Sequence, residues 1–81
     1  MDLDVLFFAS YSELVGVPRL SLTLTEGGTV TDLVRAVRGR GGAFERLPVH
    51  PAVAVNRTVV PHGHVLAAGD EVAFLPPVAG G

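Results

Sequence analysis

One mixed β-sheet packed on a single main helix, an α+β domain, is the fold class this sequence predicts. Three stretches carry the prediction. Leu3 to Ala9, LDVLFFA, and Leu20 to Leu24, LSLTL, read as successive strands near the start. One clear helical pattern follows Thr29, with Val30, Leu33, Val34 and Val37 at the spacing of a single apolar stripe. Glu71 to Leu75, EVAFL, is a late strand that can return to the sheet beside the first.

In the first strand, Leu3, Val5 and Phe7 point one way and Asp4, Leu6 and Phe8 the other. Both faces are largely apolar, which places the strand inside the sheet. Ser10 to Val15 suggests a short helical turn, with Ser10 as its cap and Glu13 three residues on; Gly16 to Pro18 end it. Leu20, Leu22 and Leu24 alternate with Ser21, Thr23 and Thr25, the pattern of a half-buried strand. In the main helix Thr29 is the cap and Asp32 sits at the third helical position. Arg35, Arg38 and Arg40 lie near its C-terminus, where the helix dipole favours cations, and Gly39, Gly41 and Gly42 stop it. Ala43 to Leu47 has room for one turn before Pro48 and Pro51. Ala52 to Val55 and Thr58 to Val60 are short strands about a turn at Asn56-Arg57. Asn suits a left-handed backbone there and Arg does not, which leaves the turn type open. Val65 and Leu66 suggest a short element, and Ala68-Gly69-Asp70 a turn. Residues 1–75 form the domain and 76–81 an extended, flexible tail. A last strand beside the first would send that tail out from the middle of the sheet.

Composition narrows the function. Eighty-one residues suffice for one core. Without cysteine there is no disulfide, thiolate metal site or cysteine nucleophile. The formal charge is −2 and all six basic residues are arginine, which argues against nucleic acid as a main partner. No apolar run is long enough to cross a bilayer. The acidic start MDLD lacks the basic opening of a signal peptide, so a cytoplasmic protein is expected.

The motifs that usually carry chemistry are weak here. Gly39 to Gly42 lacks the Lys-Ser or Lys-Thr of a phosphate loop and reads better as a helix stop. His62-Gly63-His64 offers two imidazoles but no further metal ligand nearby in sequence, so no metal site is expected. Ser10, Ser12 and Ser21 sit in no nucleophile elbow. Asp70 and Glu71 fall on opposite faces of a strand, so turn formation explains Asp70 better than acid–base chemistry. Arg35, Arg38 and Arg40 either dock an acidic partner or form a solvated helix end.

What remains is the closing LPPVAGG. Pro76 and Pro77 have no amide donors and hold the chain extended as they end the sheet. Val78 and Ala79 are slim, and Gly80 and Gly81 have no side chain, so the segment can enter a narrow channel. It finishes in an unhindered carboxylate. Activated by ATP as an acyl-adenylate, that group becomes an electrophile from which a sulfur nucleophile can displace AMP, leaving a terminal thiocarboxylate. The absence of lysine also removes a competing amine from the chain itself.

FFAS-x-x-EL-x-G near the start, the VAVN strand and GDEVAFLPPVAGG at the end resemble the small, sulfur carrier subunit family of molybdopterin synthase, the MoaD family of the MoaD/ThiS ubiquitin-like superfamily. The resemblance spans the whole chain. It implies the β-grasp (ubiquitin-like) fold, in agreement with the element order. It implies that Gly81, preceded by Gly80, is adenylated by a ubiquitin-activating-like enzyme (MoeB-like) that uses ATP, and is then thiocarboxylated. The tail, Pro76, Pro77, Val78 and Ala79 included, would insert into a large subunit (MoaE-like) and deliver sulfur to cyclic pyranopterin monophosphate, giving molybdopterin in molybdenum cofactor biosynthesis. It further implies a heterotetramer with two large subunits, no cofactor bound by the small subunit, no catalysis by it alone, and a partner surface at Phe8, Val59 and Leu75. Strand alternation gives separate grounds for Phe8 and Leu75, which lie opposite Phe7 and Phe74 and so cannot share their cover. The family commonly has Arg-Glu where this chain has Ser12-Glu13. Related readings are a carrier for tRNA thiolation or thiamine thiazole synthesis, a ubiquitin-like modifier, and a passive binding module with a loose tail.

Overall fold

In a computed structural model the described residues are 1–77. The elements run β1 (Asp2–Phe7), α1 (Ala9–Val15), β2 (Arg19–Thr23), α2 (Val30–Arg38), a 3₁₀ turn (Gly42–Arg46), β3 (Ala52–Val55), β4 (Thr58–Val60) and β5 (Glu71–Leu75). They form one five-stranded sheet in the order β2-β1-β5-β3-β4. β5 runs parallel to β1 and antiparallel to β3, and the other pairs are antiparallel. The sheet is therefore mixed, with β5 in its middle and β1 inside it, as the apolar character of both strands predicts.

The core follows from the two periodicities. Leu3, Val5 and Phe7 of β1, Val53 and Val55 of β3, and Val72 and Phe74 of β5 are buried on one face. Val30, Leu33, Val34 and Val37 of α2 are buried in the same cluster, which Tyr11, Leu47 and Leu66 complete. Phe74 packs against Phe7 with ring centroids 5.3 Å apart.

α2 begins as the sequence predicts. Thr29 and Asp32 form a reciprocal capping box: the Thr29 side chain accepts from the Asp32 amide, and the Asp32 carboxylate accepts from the Thr29 amide at 2.9 Å. The Thr29 amide, with its hydroxyl, holds the Asp32 carboxyl below its ordinary pKa. A depressed folded-state pKa contributes stability that is present above the ordinary carboxylate value, about 3.9, and is lost as pH falls through the folded value. Asp32→Ala should therefore lower the melting temperature at pH 7, and the gap from the unaltered protein should narrow below about pH 3.9. Thermal melts across pH 2–7 measure this, and a constant gap would exclude the linkage.

α1 departs from expectation. It starts at Ala9, not Ser10, and its N-cap is Phe8, with no side-chain hydrogen bond at the cap. Ala9 has φ 46°, and this left-handed residue turns the chain out of β1. A backbone turn thus replaces the side-chain cap, at a cost of about 1–2 kcal/mol for an L-residue. The Ser12 hydroxyl bonds the Ala9 carbonyl instead, at 2.8 Å. At the other end Gly16, φ 84°, closes the helix by donating its amide to the Ser12 carbonyl.

Asn56 and Arg57 both have positive φ, 48° and 73°, which defines a type I′ hairpin turn. Arg57 accepts that conformation because Asn56 clamps the turn to β5. The Asn56 amide donates to the Glu71 carbonyl, its side-chain oxygen accepts from the Glu71 amide, and its side-chain nitrogen donates to Asp70. Val65 forms only an isolated bridge with Thr29, while Leu66 enters the core.

Candidate functional site

The helices and the core occupy one face of the sheet. On the other, the register sets Leu6 beside Ala73, Ala73 beside Ala54, and Ala54 beside Val59, one row across four strands. A second row sets Leu75 beside Ala52. Val59 is 67% exposed and Phe8 47%, while Leu75 is half-buried. Ala54 and Ala73 are small and sit nearly covered among larger neighbours, so the centre of the row is flat. Phe8, Val59 and Leu75 thus share one apolar face at the end of the sheet from which the chain leaves β5. Contiguous exposed apolar surface is characteristic of sites that bind other molecules. Leu6, which alternation had set on the Phe8 face, belongs to it; so do Ala54 and Ala73, which sequence reasoning missed and which alternation combined with the β1·β5 and β3·β5 pairings would have found.

The β2 side of this face is polar. Arg19 on β2, the register partner of Leu6, forms an ion pair with Asp4 on β1, and the Thr23 hydroxyl donates to Asp2 at 2.8 Å. These groups satisfy one another and bound the apolar area at the β2 edge.

Pro76 and Pro77 follow β5 directly; Pro76 is half-buried and Pro77 exposed. Val78, Ala79, Gly80 and Gly81, which carry the predicted tail chemistry and the expected flexibility, lie outside the described residues.

The weaker candidates resolve into structural roles. His62 Nε2 donates to the Pro51 carbonyl at 2.6 Å, since a carbonyl can only accept, and its ring stacks on His50 with centroids 3.8 Å apart. The His62 and His64 carbonyls accept the Thr31 and Val30 amides at the start of α2. Among the described residues no three His, Asp or Glu side chains are grouped to hold a metal. Arg38 does not form a docking cluster with its neighbours: it donates to the Leu47 and Glu45 carbonyls, at 2.8 and 3.0 Å, pinning the 3₁₀ turn to α2. Arg40 lies over the Phe44 ring, 5.3 Å from its centroid. Gly39 ends α2 by donating to the Arg35 carbonyl, and Asp70 accepts from the Ala67 amide in its turn. Burial pushes the Tyr11 phenol up, so it is neutral near pH 7.

A helix-backed mixed sheet whose middle strand, β5, is the last strand among the described residues defines the ubiquitin-like β-grasp class of domain. Within that class the chain belongs to the ThiS family, which its residues 5–81 match. It is 40% identical to the molybdopterin synthase sulfur carrier subunit of Escherichia coli (strain K12), over 98% of this chain and 99% of that protein. It is 37% identical to the protein of the same name from Haemophilus influenzae, with the same shares covered. Among solved structures, SAMP1 from Haloferax volcanii, a small archaeal modifier protein, superposes with a TM-score of 0.86 at 30% identity over the whole of both chains. The fold is also that of a chain in the complex of subunits 1 and 2 of the molybdopterin-converting factor from Helicobacter pylori, with a TM-score of 0.72 at 23% identity over the whole of both chains.

Proposed function

We propose that this chain is the sulfur carrier and donor subunit of a molybdopterin synthase. The observation that carries the reading is the open apolar sheet face around the middle strand β5, whose sequence continues through Pro76 and Pro77 to Gly80-Gly81. The full-length similarity to sulfur carrier subunits supports it. The body does no chemistry; it presents the end.

The Gly81 carboxylate attacks the α-phosphate of ATP on a ubiquitin-activating-like (MoeB-like) enzyme, and pyrophosphate leaves. A sulfur nucleophile then attacks the acyl carbon and expels AMP, which leaves a thiocarboxylate at the terminus. In the large (MoaE-like) subunit that sulfur attacks an oxygen-bearing side-chain carbon of the pterin precursor; the C–S bond forms as the C–O bond breaks, its oxygen leaving on phosphate or as water. Hydrolysis of the acyl–sulfur bond returns the Gly81 carboxylate, its new oxygen coming from water. Two carriers on a central pair of large subunits supply the two sulfurs of the dithiolene. The setting is cytoplasmic, and no helix among the described residues is long and apolar enough to cross a membrane.

Intact-mass analysis after incubation with the activating enzyme, ATP and a sulfide source tests the chemistry. Exchange of one oxygen for sulfur adds about 16 Da, and fragmentation should place it on Gly81; an unchanged mass rejects the reading. The apolar face supplies a second expectation. Phe8→Arg should weaken binding to the large subunit at least about tenfold, because a buried unpaired charge is costly. Unchanged affinity in calorimetry would remove Phe8 from the interface.

Similarity to a small archaeal modifier protein favours one alternative, conjugation to other proteins. It shares the adenylation step and ends in an amide bond to a lysine. After trypsin digestion, partner lysines that carry the segment following Arg57, Thr58 to Gly81, through an isopeptide bond distinguish it.

A further inference from the structure

Beside the point where the chain leaves β5 lies a groove of about 580 Å³. Tyr11 of α1 and Pro48, His50 and Pro51 of the loop before β3 form one side; Leu75, Pro76 and Pro77 at the root of the tail form the other. Its position differs from that of the sheet face, but Leu75 belongs to both, so the two apolar surfaces are continuous around the root.

The groove's chemistry restricts what it can hold. Small-molecule sites combine apolar walls with a few convergent polar groups. Here the polar side chains are the largely buried Tyr11 and His50, whose ring stacks on His62. Among the described residues no fully buried side-chain nitrogen or oxygen lacks a partner, and the other six lining residues, four prolines, Ala52 and Leu75, bring no polar side chain. Prolines, a phenol and an imidazole face suit an aliphatic or aromatic side chain.

Chain length says where that side chain comes from. This step rests on the proposed role of Gly81. Four residues follow Pro77, and an extended chain spans at most about 3.6 Å per residue, so the terminal carboxyl reaches no further than about 14 Å from Pro77. A protein that encloses the terminus within that distance must press the mouth of its channel against the domain around the tail's root. The sheet face meets one side of that mouth, and the groove meets the other.

We propose that the groove is a docking pocket for an apolar side chain on the channel mouth of the sulfur-accepting large subunit, so that the partner grips the tail's root from both sides.

The test places a charge in the wall and the same charge just outside it. His50 is exposed and lines the groove; Val49 is 68% exposed and does not. Calorimetry with the full chain and the large subunit should show His50→Asp binding at least about tenfold more weakly. Val49→Asp should stay within about twofold. His50→Trp, which fills the groove without a charge, gives a second loss-of-binding variant, and thermal melts of all three confirm folding. His50→Asp and His50→Trp binding like the unaltered protein would overturn the proposal while leaving the carrier reading intact. Loss confined to the activating enzyme, measured in a parallel adenylation assay, would also overturn it by assigning the groove to that partner. An unaltered chain that fails to bind the large subunit would sink both the pocket and the carrier reading.

Discussion

Deletion of Gly81 is expected to abolish sulfur loading while leaving the domain folded. The shortened chain still ends in an unhindered glycine, Gly80, so the chemistry of the end is preserved and only its position changes. The carboxyl retreats by one residue, about 3.3–3.6 Å. Reacting atoms must meet at about 3–3.5 Å, and a misplacement of 1 Å can cost about 10²-fold. A full residue therefore removes measurable adenylation. β5 ends at Leu75, well before the deletion, so no strand pairing is touched. Intact mass should show no sulfur adduct, and the melting temperature should stay within about 2 °C of the unaltered protein, since a change of 1 kcal/mol moves a domain of this size by about 4–8 °C. Loading at the normal rate would show that the terminal position is not the reactive one.

Phe74→Ala should have the largest effect on stability. Phe74 is fully buried on the middle strand, in register with Val53 on one side and Phe7 on the other. Truncating a buried phenylalanine costs about 3–5 kcal/mol, including the cavity it leaves. A domain of this length has about 4–12 kcal/mol in total. The variant should lose at least about 15 °C in thermal melting, or fail to fold at the lower end of that range. Leu75→Ala, one residue on and on the opposite face, should cost far less stability and act instead on partner binding. Melts of the two variants side by side separate core from interface, and a loss below about 5 °C for Phe74→Ala would contradict its place in the core.

The sequence showed most clearly what short-range periodicity encodes. The alternation in β1 assigned Phe7 to the core and Phe8 to the open face without any tertiary information. The Thr29 and Asp32 spacing marked the start of α2 because a capping box is local chemistry. The misses have physical reasons. Ser10 looked like a cap because its side chain suits one, but the turn out of β1 is made by the backbone of Ala9, for which composition carries no signal. Arg57 in a left-handed turn depends on Asn56 bonding to Asp70 and Glu71, partners fourteen and fifteen residues away. Arg38 resembled surface charge until the 3₁₀ turn supplied its acceptors. The groove could not be read in advance, because it joins α1, the loop before β3 and the tail's root only after the sheet has assembled.

The parallel pairing of β1 with β5 bears on how the protein is made. β5 lies between β1 and β3, so while those last residues are still in the ribosome the two earlier strands have nothing to join them, and Phe7 and Val53 lack their shared neighbour. Stable structure must wait until β5 has left the ribosome. Translation thus acts as a gate: a product broken off before β5 cannot present a folded body to any client.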